Sequence, residues 1–452
     1  MIVCKFGGTS VGDAEAIRRT ASIIGGRRDR QPIVVVSALG GATNVLIALA
    51  EQAARGQLIG ALRAVQNLRE RHMRETAALL GSGDEAHEVM TELSGMFDEL
   101  ASLAEALSVL GDLTPRSLDA VSAFGESLSS LLVTAAFQRE GLPAEHVDAR
   151  KVMITDGQFT RAEPQQDAIA EAAREHVLPL VKAGRIPVMG GYIGSTQKGG
   201  ITTTLGRGGS DYSASLVGAA LKADAIEIWT DVDGMLTADP RVVSNAQLID
   251  KVGFEEASEL ASFGAKVLHP YTIAPAVRIG IPVWVLNSRK PDGTGTLITH
   301  DAPRRPVTAI AGKSAVTLVK VRSPRMLLTE GFLRELFGIF EKHKTSVDVV
   351  STSEVSVSLT VDDVSNLEDI IVDLRALGDV AIERNRGIVA LVGASLSEGG
   401  DAMSRALAAI GDCRLYMLSL SATGINLTMV LDGDEVNPLM QRLHKTFFED
   451  GR

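Results

Sequence analysis

From residue 1 to about 300, short runs rich in valine and isoleucine alternate with helical patterns, which restricts this half of the chain to a sheet sandwiched by helices, an α/β fold. The strand candidates are Ile2–Phe6, 33–37, Ile186–Gly190, Ala225–Thr230 and 282–286. Their nearly continuous apolarity suits strands buried on both faces, as in a mostly parallel sheet. Between roughly 57 and 140 the pattern changes to long helices. Leu93, Met96, Phe97, Leu100, Leu103, Ala104 and Leu107 fall there at helical spacing, a stripe that reads as core packing.

A Pro- and Gly-rich stretch at 290–306 separates this half from a tail of different organisation. In the tail the order strand, helix, strand, strand, helix occurs twice, at 316–377 and 388–447, an internal duplication of about 65 residues by element order. Val355, Val357, Leu359 and Val361 alternate with Ser356, Ser358 and Thr360, as in a strand buried on one face. Two small α+β modules follow from this pattern.

At 452 residues the chain is too long for one ordinary core. No run approaches the roughly 18 uninterrupted apolar residues of a membrane helix, and the start lacks a basic and then apolar leader pattern. Cys4 and Cys413 are the only cysteines and lie far apart, which fits buried thiols in a reducing compartment. A formal charge of −11 argues against a nucleic-acid surface. The expectation is a soluble, cytoplasmic protein with small-molecule ligands, no nucleic acid and no membrane.

Three segments carry chemistry. Lys5-Phe6-Gly7-Gly8-Thr9-Ser10-Val11-Gly12 ends the opening strand, and Ser10 with Asp13 reads as a capping box for a helix with Ala14, Ile17, Ala21 and Ile24 on its apolar face. A strand, a glycine loop and a helix N-terminus make a phosphate cradle. The loop has the spacing of half a P-loop, but Asp13 stands where that motif requires lysine. Alone, such a loop serves a structural turn equally well. Lys5 favours the phosphate reading, as a cation able to neutralise charge on a transferring phosphoryl group.

In the second segment, residues 202–211, three glycines surround Arg207 and leave its guanidinium free for fork-like binding of a carboxylate. Asp211 lies in the first turn of the following helix, where it either complements the helix dipole or takes a polar or metal-linked role in a site. The third segment, 229–234 and then Asp239-Pro240-Arg241, ends a buried strand in polar turns at the carboxyl edge of the sheet, where open α/β folds hold ligands. Two solvated turns are the alternative. Within 263–270, Lys266 sits at a helix end and His269, before a proline, reads as structural.

In this order, the segments 5–12, 37–44, 124–126, 202–211, 229–234 with 239–241, and 263–270 resemble the aspartate kinases of the amino-acid kinase family, over essentially the whole chain. Gly331-Phe332-Leu333, Ser346-Val347-Asp348 and Thr352-Ser353-Glu354-Val355-Ser356 resemble the monofunctional, lysine-inhibited branch, and the tail resembles paired ACT domains. The implied architecture is a catalytic domain at 1–298, a first ACT domain at 313–385 and a second at 386–452, the last completed by a strand at 305–312.

The resemblance implies ATP-dependent phosphorylation of the β-carboxylate of L-aspartate to 4-phospho-L-aspartate, the first step toward lysine, threonine and methionine, with feedback by lysine. It places Lys5 and Asp211 at the chemistry, and Ser37, Ala38, Thr43, Glu126, Tyr192, Arg207 and Ser210 in the aspartate pocket. Tyr192 stands where the family commonly has phenylalanine. Lys5, Gly7, Gly8, Thr230, Asp231, Asp239, Arg241 and Lys266 would surround ATP, with Mg²⁺ bridging its phosphates and no dedicated protein metal site. Met326, Thr329, Gly331, Phe332, Leu333, Ser346, Asp348, Thr352, Ser353, Glu354 and Val355 would meet the effector. Leu328, Thr329 and Glu330 replace a more basic run of lysine-inhibited relatives. Paired small sheets imply a homodimer, with a dimer of dimers as the larger alternative.

The chemistry agrees with these residues. A β-carboxylate is ionised at neutral pH, so transfer needs positioning and cations rather than a strong base. An acetylglutamate or glutamate 5-kinase is opposed by the duplicated tail and the Phe-Gly-Glu helix. A silent amino-acid sensor is opposed by Lys5, Glu126, Arg207 and Asp211 together. A fused homoserine dehydrogenase is excluded because no Gly-x-Gly-x-x-Gly segment is present.

Overall fold

The computed structural model describes residues 1–263, 270–327, 330–398 and 400–449. Two compact units emerge, one from Met1–Met235 with Val267–His300, the other from Leu236–Lys266 with Asp301–Arg452. The sequence boundary at 298 kept 236–266 with the catalytic half, and the structure moves it. Ala238 and Val243 pack in the same core as Ile310, Leu391 and Met440, and the Ile310 N–H donates to the Thr237 carbonyl.

In the first unit the strands lie in the order Ala144–Val147, Ile186–Gly190, Pro32–Val36, Ile2–Phe6, Ala225–Thr230, Val283–Asn287 and Thr296–Ile298. All neighbours are parallel except the last pair. Ile2–Phe6, Pro32–Val36 and Ile186–Gly190 are buried throughout, as their apolarity predicts. Ala144–Val147 escapes sequence reading because this edge strand carries Glu145 and His146 on partly open positions. Chain order reverses around Ile2–Phe6, with Pro32–Val36 on one side and Ala225–Thr230 on the other, and such a switch point opens a crevice at the carboxyl ends of the strands.

The helical stretch resolves into Ala42–Ala54, Leu58–Leu80, Asp84–Leu110, Pro115–Ser122 and Phe124–Arg139. Leu93, Phe97, Leu100, Ala104 and Leu107 pack with Leu68, Leu128 and Leu132 in the core of the unit. The stretch Pro115–Arg139 is apolar enough to cross a membrane, yet 83% of its most apolar window is buried in protein, so it is a core element. One local reading is corrected. Ser10 is not the cap of the helix Ala14–Gly25; Asp13 is, accepting from the Ala16 N–H at 2.8 Å, while the Ser10 hydroxyl donates to Ser288 Oγ at 2.8 Å.

The second unit is built on a sheet ordered Val350–Thr352, Ser356–Val361, Ala309–Arg322, Asp379–Val392, Asn426–Asp432 and Met417–Leu420, with every pair antiparallel. Sequence reading separated the strand at 305–312 from the module that opens at 316; the structure joins them in a single strand, Ala309–Arg322, with a register shift between Lys313 and Leu318. The polar run Gly312-Lys313-Ser314, followed by Ala315 at φ 63°, hides that continuity. Ala309–Lys313 pairs with Ile388–Val392, and Val316–Arg322 with Asp379–Arg386. One core gathers around Phe332, Leu336 and Leu374, and another around Ala406, Leu439 and Leu443.

Candidate active site

At the switch-point crevice of the first unit lies a cavity of about 750 Å³ lined by Lys5, Gly8, Ser37, Ala38, Thr43, Glu126, Tyr192, Arg207, Ser210 and Asp211. Lys5 comes from the central strand and is only 8% exposed. Its Nζ stands 2.6 Å from Asp211 Oδ1. Asp211 occupies the first turn of the helix Gly209–Leu221, so helix dipole and ammonium act on the same carboxylate.

Glu126 lies in the first turn of Phe124–Arg139 and is 3% exposed. Its Oε2 is buried and reached by no hydrogen-bond donor among the described residues. Burial pushes the carboxyl up to about 8, against the opposing pull of the Ala38 and Glu126 N–H groups and of the Lys5 ammonium. A buried acid with an empty oxygen is suited to receive an ammonium group, which would satisfy and ionise it together.

Arg207 is exposed on the cavity wall between Gly206 at φ 76° and Gly208 at φ 74°, left-handed positions that glycine occupies without strain. It joins no ion pair among the described residues. Ser37 donates to Ser210 Oγ at 3.0 Å, and the Ser37 carbonyl accepts from Ser129 Oγ. Tyr192 has φ 65°, an unusual value for a side-chain-bearing residue, and its N–H donates to Ser213 Oγ at 3.0 Å. Its phenol bonds Thr204 and Ser122, and burial raises its pKa. A phenylalanine here would lose both contacts.

Asp119 was not anticipated. It is 1% exposed and accepts from the Thr160 N–H at 2.8 Å, the Thr204 N–H at 3.0 Å and the Thr204 hydroxyl at 2.6 Å. Burial outweighs these bonds and leaves its carboxyl above the usual range. It thereby ties down the strand Thr202–Thr204 just ahead of Arg207. Its place in the short helix Pro115–Ser122 looks in sequence like any acid of an amphipathic helix.

The residues expected around ATP are not gathered in the same way. Gly8 lines the cavity, but the Gly7 N–H donates to the Trp229 carbonyl at 3.0 Å, so Gly7 contributes space rather than a free donor. Thr230 ends its strand and donates to Asp231 Oδ1 at 3.3 Å. Asp239 and Arg241 belong to the second unit, where they pair at 2.6 Å. Lys266 lies outside the described residues.

Of the expected effector residues, Thr329 also lies outside the described residues. Asp348 Oδ1 is 3.1 Å from Lys313 Nζ, and its Oδ2 is buried with no hydrogen-bond partner among the described residues. Thr352 ends the edge strand Val350–Thr352. In the turn that follows, Ser353 Oγ and Ser356 Oγ lie 2.7 Å apart and the Val355 N–H meets Ser353 Oγ at 3.5 Å. Gly331 caps the helix Phe332–Lys342, Phe332 is buried in the module core and Leu333 is exposed. Met326 packs against that core, while Ser346 and Glu354 are surface-accessible.

Residues 1–287 match the amino acid kinase family. The lysine-sensitive aspartokinase 3 of Escherichia coli (strain K12) is 39% identical over 99% of each chain. The crystal structure of E. coli aspartokinase III in complex with aspartate and ADP (R-state) aligns with TM-score 0.87 at 38% identity, covering 99% of this chain and 100% of that one. The complex of the same enzyme with lysine and aspartate (T-state) gives TM-score 0.83 at the same coverage. The chain belongs to the amino acid kinase family and, within it, to the aspartokinases.

Proposed function

We propose that the cavity phosphorylates the side-chain carboxylate of L-aspartate with ATP, giving 4-phospho-L-aspartate and ADP at the head of a route to lysine, threonine and methionine. The observation that carries this reading is the convergence of Lys5, Glu126, Arg207 and Asp211 on one cavity. Each matches one charge of the reactants. The unpartnered Glu126 oxygen takes the ammonium of aspartate, and Arg207 takes its α-carboxylate in a two-pronged contact. Ser37 and Ser210, already bonded to each other, offer hydroxyls between these two ends. The β-carboxylate then points toward Lys5.

No base is required, because the acceptor is already ionised. The barrier is repulsion between carboxylate and triphosphate, together with alignment of the two oxygens about phosphorus. Lys5 addresses the first, and its ion pair with Asp211 holds the ammonium in place before the nucleotide arrives. Magnesium enters as part of MgATP and neutralises phosphate charge there. Gly8, Thr230 and Asp231 form the part of the proposed nucleotide set that lies in this unit.

The tail acts as two ACT modules, near 313–385 and 386–452 with the strand near 305–312. Lysine inhibits through Asp348, Glu354 and the residues around them, and the chain works as a cytoplasmic homodimer. The crystal structures of the E. coli relative with aspartate, ADP and lysine support the choice of ligands. The test is ADP release from purified protein with MgATP and either aspartate, N-acetylglutamate or glutamate, with and without lysine. Activity on aspartate that lysine suppresses is expected. Activity on another acceptor, or on none, would overturn the reading.

A further inference from the structure

The helix Leu58–Leu80 belongs to the helical stretch, and none of the reactant-binding groups proposed above comes from it. Arg71 on this helix nevertheless reaches the cavity's frame. Its Nη1 donates to the Gly40 carbonyl and its Nη2 to the Gly12 carbonyl, each at 2.8 Å. Gly12 closes the loop that follows Lys5, and Gly40 lies in the loop that carries Ser37 and Ala38 and leads into the helix bearing Thr43. One planar guanidinium thus fastens the phosphate loop to the aspartate loop. The same helix presents Glu75, 8% exposed, whose Oε2 accepts from the Ala14 N–H at 2.9 Å where the helix after the phosphate loop begins.

The two loops touch so closely that side chains are excluded. A Cβ on Gly8 would lie 3.0 Å from the Ala38 carbonyl oxygen, and one on Gly40 would lie 3.2 Å from the Gly8 carbonyl oxygen. Neighbouring loop carbonyls repel unless a donor lies between or beside them, and a charged, two-pronged donor of fixed geometry sets their separation.

We infer that Arg71 is a positioning residue of the phosphoryl transfer: it sets the gap between the loop that holds the donor and the loop that holds the acceptor. It touches neither reactant. Its effect falls on the distance and angle between them, where a misplacement of about 1 Å lowers turnover by about 100-fold. Lysine has one ammonium and no fork, so it can hold one carbonyl but not both in fixed relation. This inference rests on the aspartate kinase reading.

The experiment compares full-length wild type with Arg71→Met, Arg71→Lys and Arg71→Ala. Arg71→Met is expected to lower kcat about 100-fold while KM for aspartate and for ATP each change less than about threefold and the melting temperature is kept. Arg71→Lys should fall between, and added guanidinium should restore part of the turnover of Arg71→Ala. Turnover retained within about threefold, or loss that follows a lowered melting temperature, would overturn the inference. Hydrogen exchange separates this from failure of the reaction assignment. Even if wild type used no aspartate, peptides spanning 7–12 and 38–43 should both exchange faster in Arg71→Met. Unchanged exchange in either loop would overturn the role.

Discussion

Glu126 in the first unit is buried and Asp348 in the second half-buried, and each has one buried oxygen that no donor among the described residues reaches. Burial raises both. They differ in how the charge is met. Lys313 Nζ stands 3.1 Å from Asp348 Oδ1 and 2.6 Å from Asp362 Oδ2, so the tail supplies its own ammonium. Glu126 has no ion-pair partner among the described residues, because the cavity's lysine is engaged with Asp211. The acid in the catalytic cavity stays uncompensated until a ligand brings a cation. The acid in the tail is already answered, so an incoming ammonium must share or displace Lys313. On the proposed function, the first arrangement captures one end of the substrate, and the second gives a resting state that an effector shifts.

The largest effect expected is at Lys5. Lys5→Ala should lower kcat by about 1000-fold, because a cation aimed at developing charge in a water-poor site is among the stronger catalytic contributions. Steady-state ADP release measures it, and a variant retaining a third of wild-type turnover would remove Lys5 from the transfer step. The variant also sharpens the comparison, since loss of Lys5 takes away the one cation that opposes the raised pKa of Glu126.

Glu126→Gln should act on binding rather than turnover. A charge-assisted contact is worth about 1.5–3 kcal/mol, so KM for aspartate should rise about 10- to 100-fold while KM for ATP stays within about twofold. Titration of initial rates against each substrate separates the two. Equal increases for both substrates would mean that Glu126 supports the cavity without touching aspartate.

On the other side of the comparison, Asp348→Asn should raise the lysine concentration for half-inhibition about tenfold and leave uninhibited turnover unchanged. A neutral amide no longer attracts an ammonium, and Lys313 keeps Asp362. Loss of basal activity with inhibition intact would break the assignment of Asp348 to sensing.

The contrast also marks what sequence alone can yield. Lys5, Arg207 and Asp211 could be singled out because their setting is local: a strand end, glycines at fixed spacing, a helix start. Glu126 was found through resemblance alone, since an acid in an apolar helix has no local mark of a site. Asp119 and Arg71 were illegible for another reason. They act on backbone groups far along the chain, Asp119 on Thr160 and Thr204, and Arg71 on Gly12 and Gly40, and backbone carbonyls and amides leave no trace in residue identity. The Gly7 amide, already engaged by Trp229, is a similar case. In the fold, buried strands were readable from apolar runs, whereas Ala309–Arg322 was not, because its polar middle interrupts the pattern that its pairing continues.

The smallest effect is a pH dependence confined to one side of the comparison. Burial pushes the Glu126 carboxyl up from its ordinary value to about 8. Aspartate brings an ammonium that favours the ionised form, so below pH 8 binding must first expel a proton. The ionised fraction grows with pH, and kcat/KM for aspartate should therefore rise about fivefold from pH 7 to pH 8. At saturating aspartate the bound ammonium keeps Glu126 ionised, so kcat should stay nearly flat across the same range. Glu126→Gln should abolish the rise, since the amide does not titrate. A rise that survives in Glu126→Gln would assign the titration to another group, and the picture of an uncompensated acid waiting for its cation would fail.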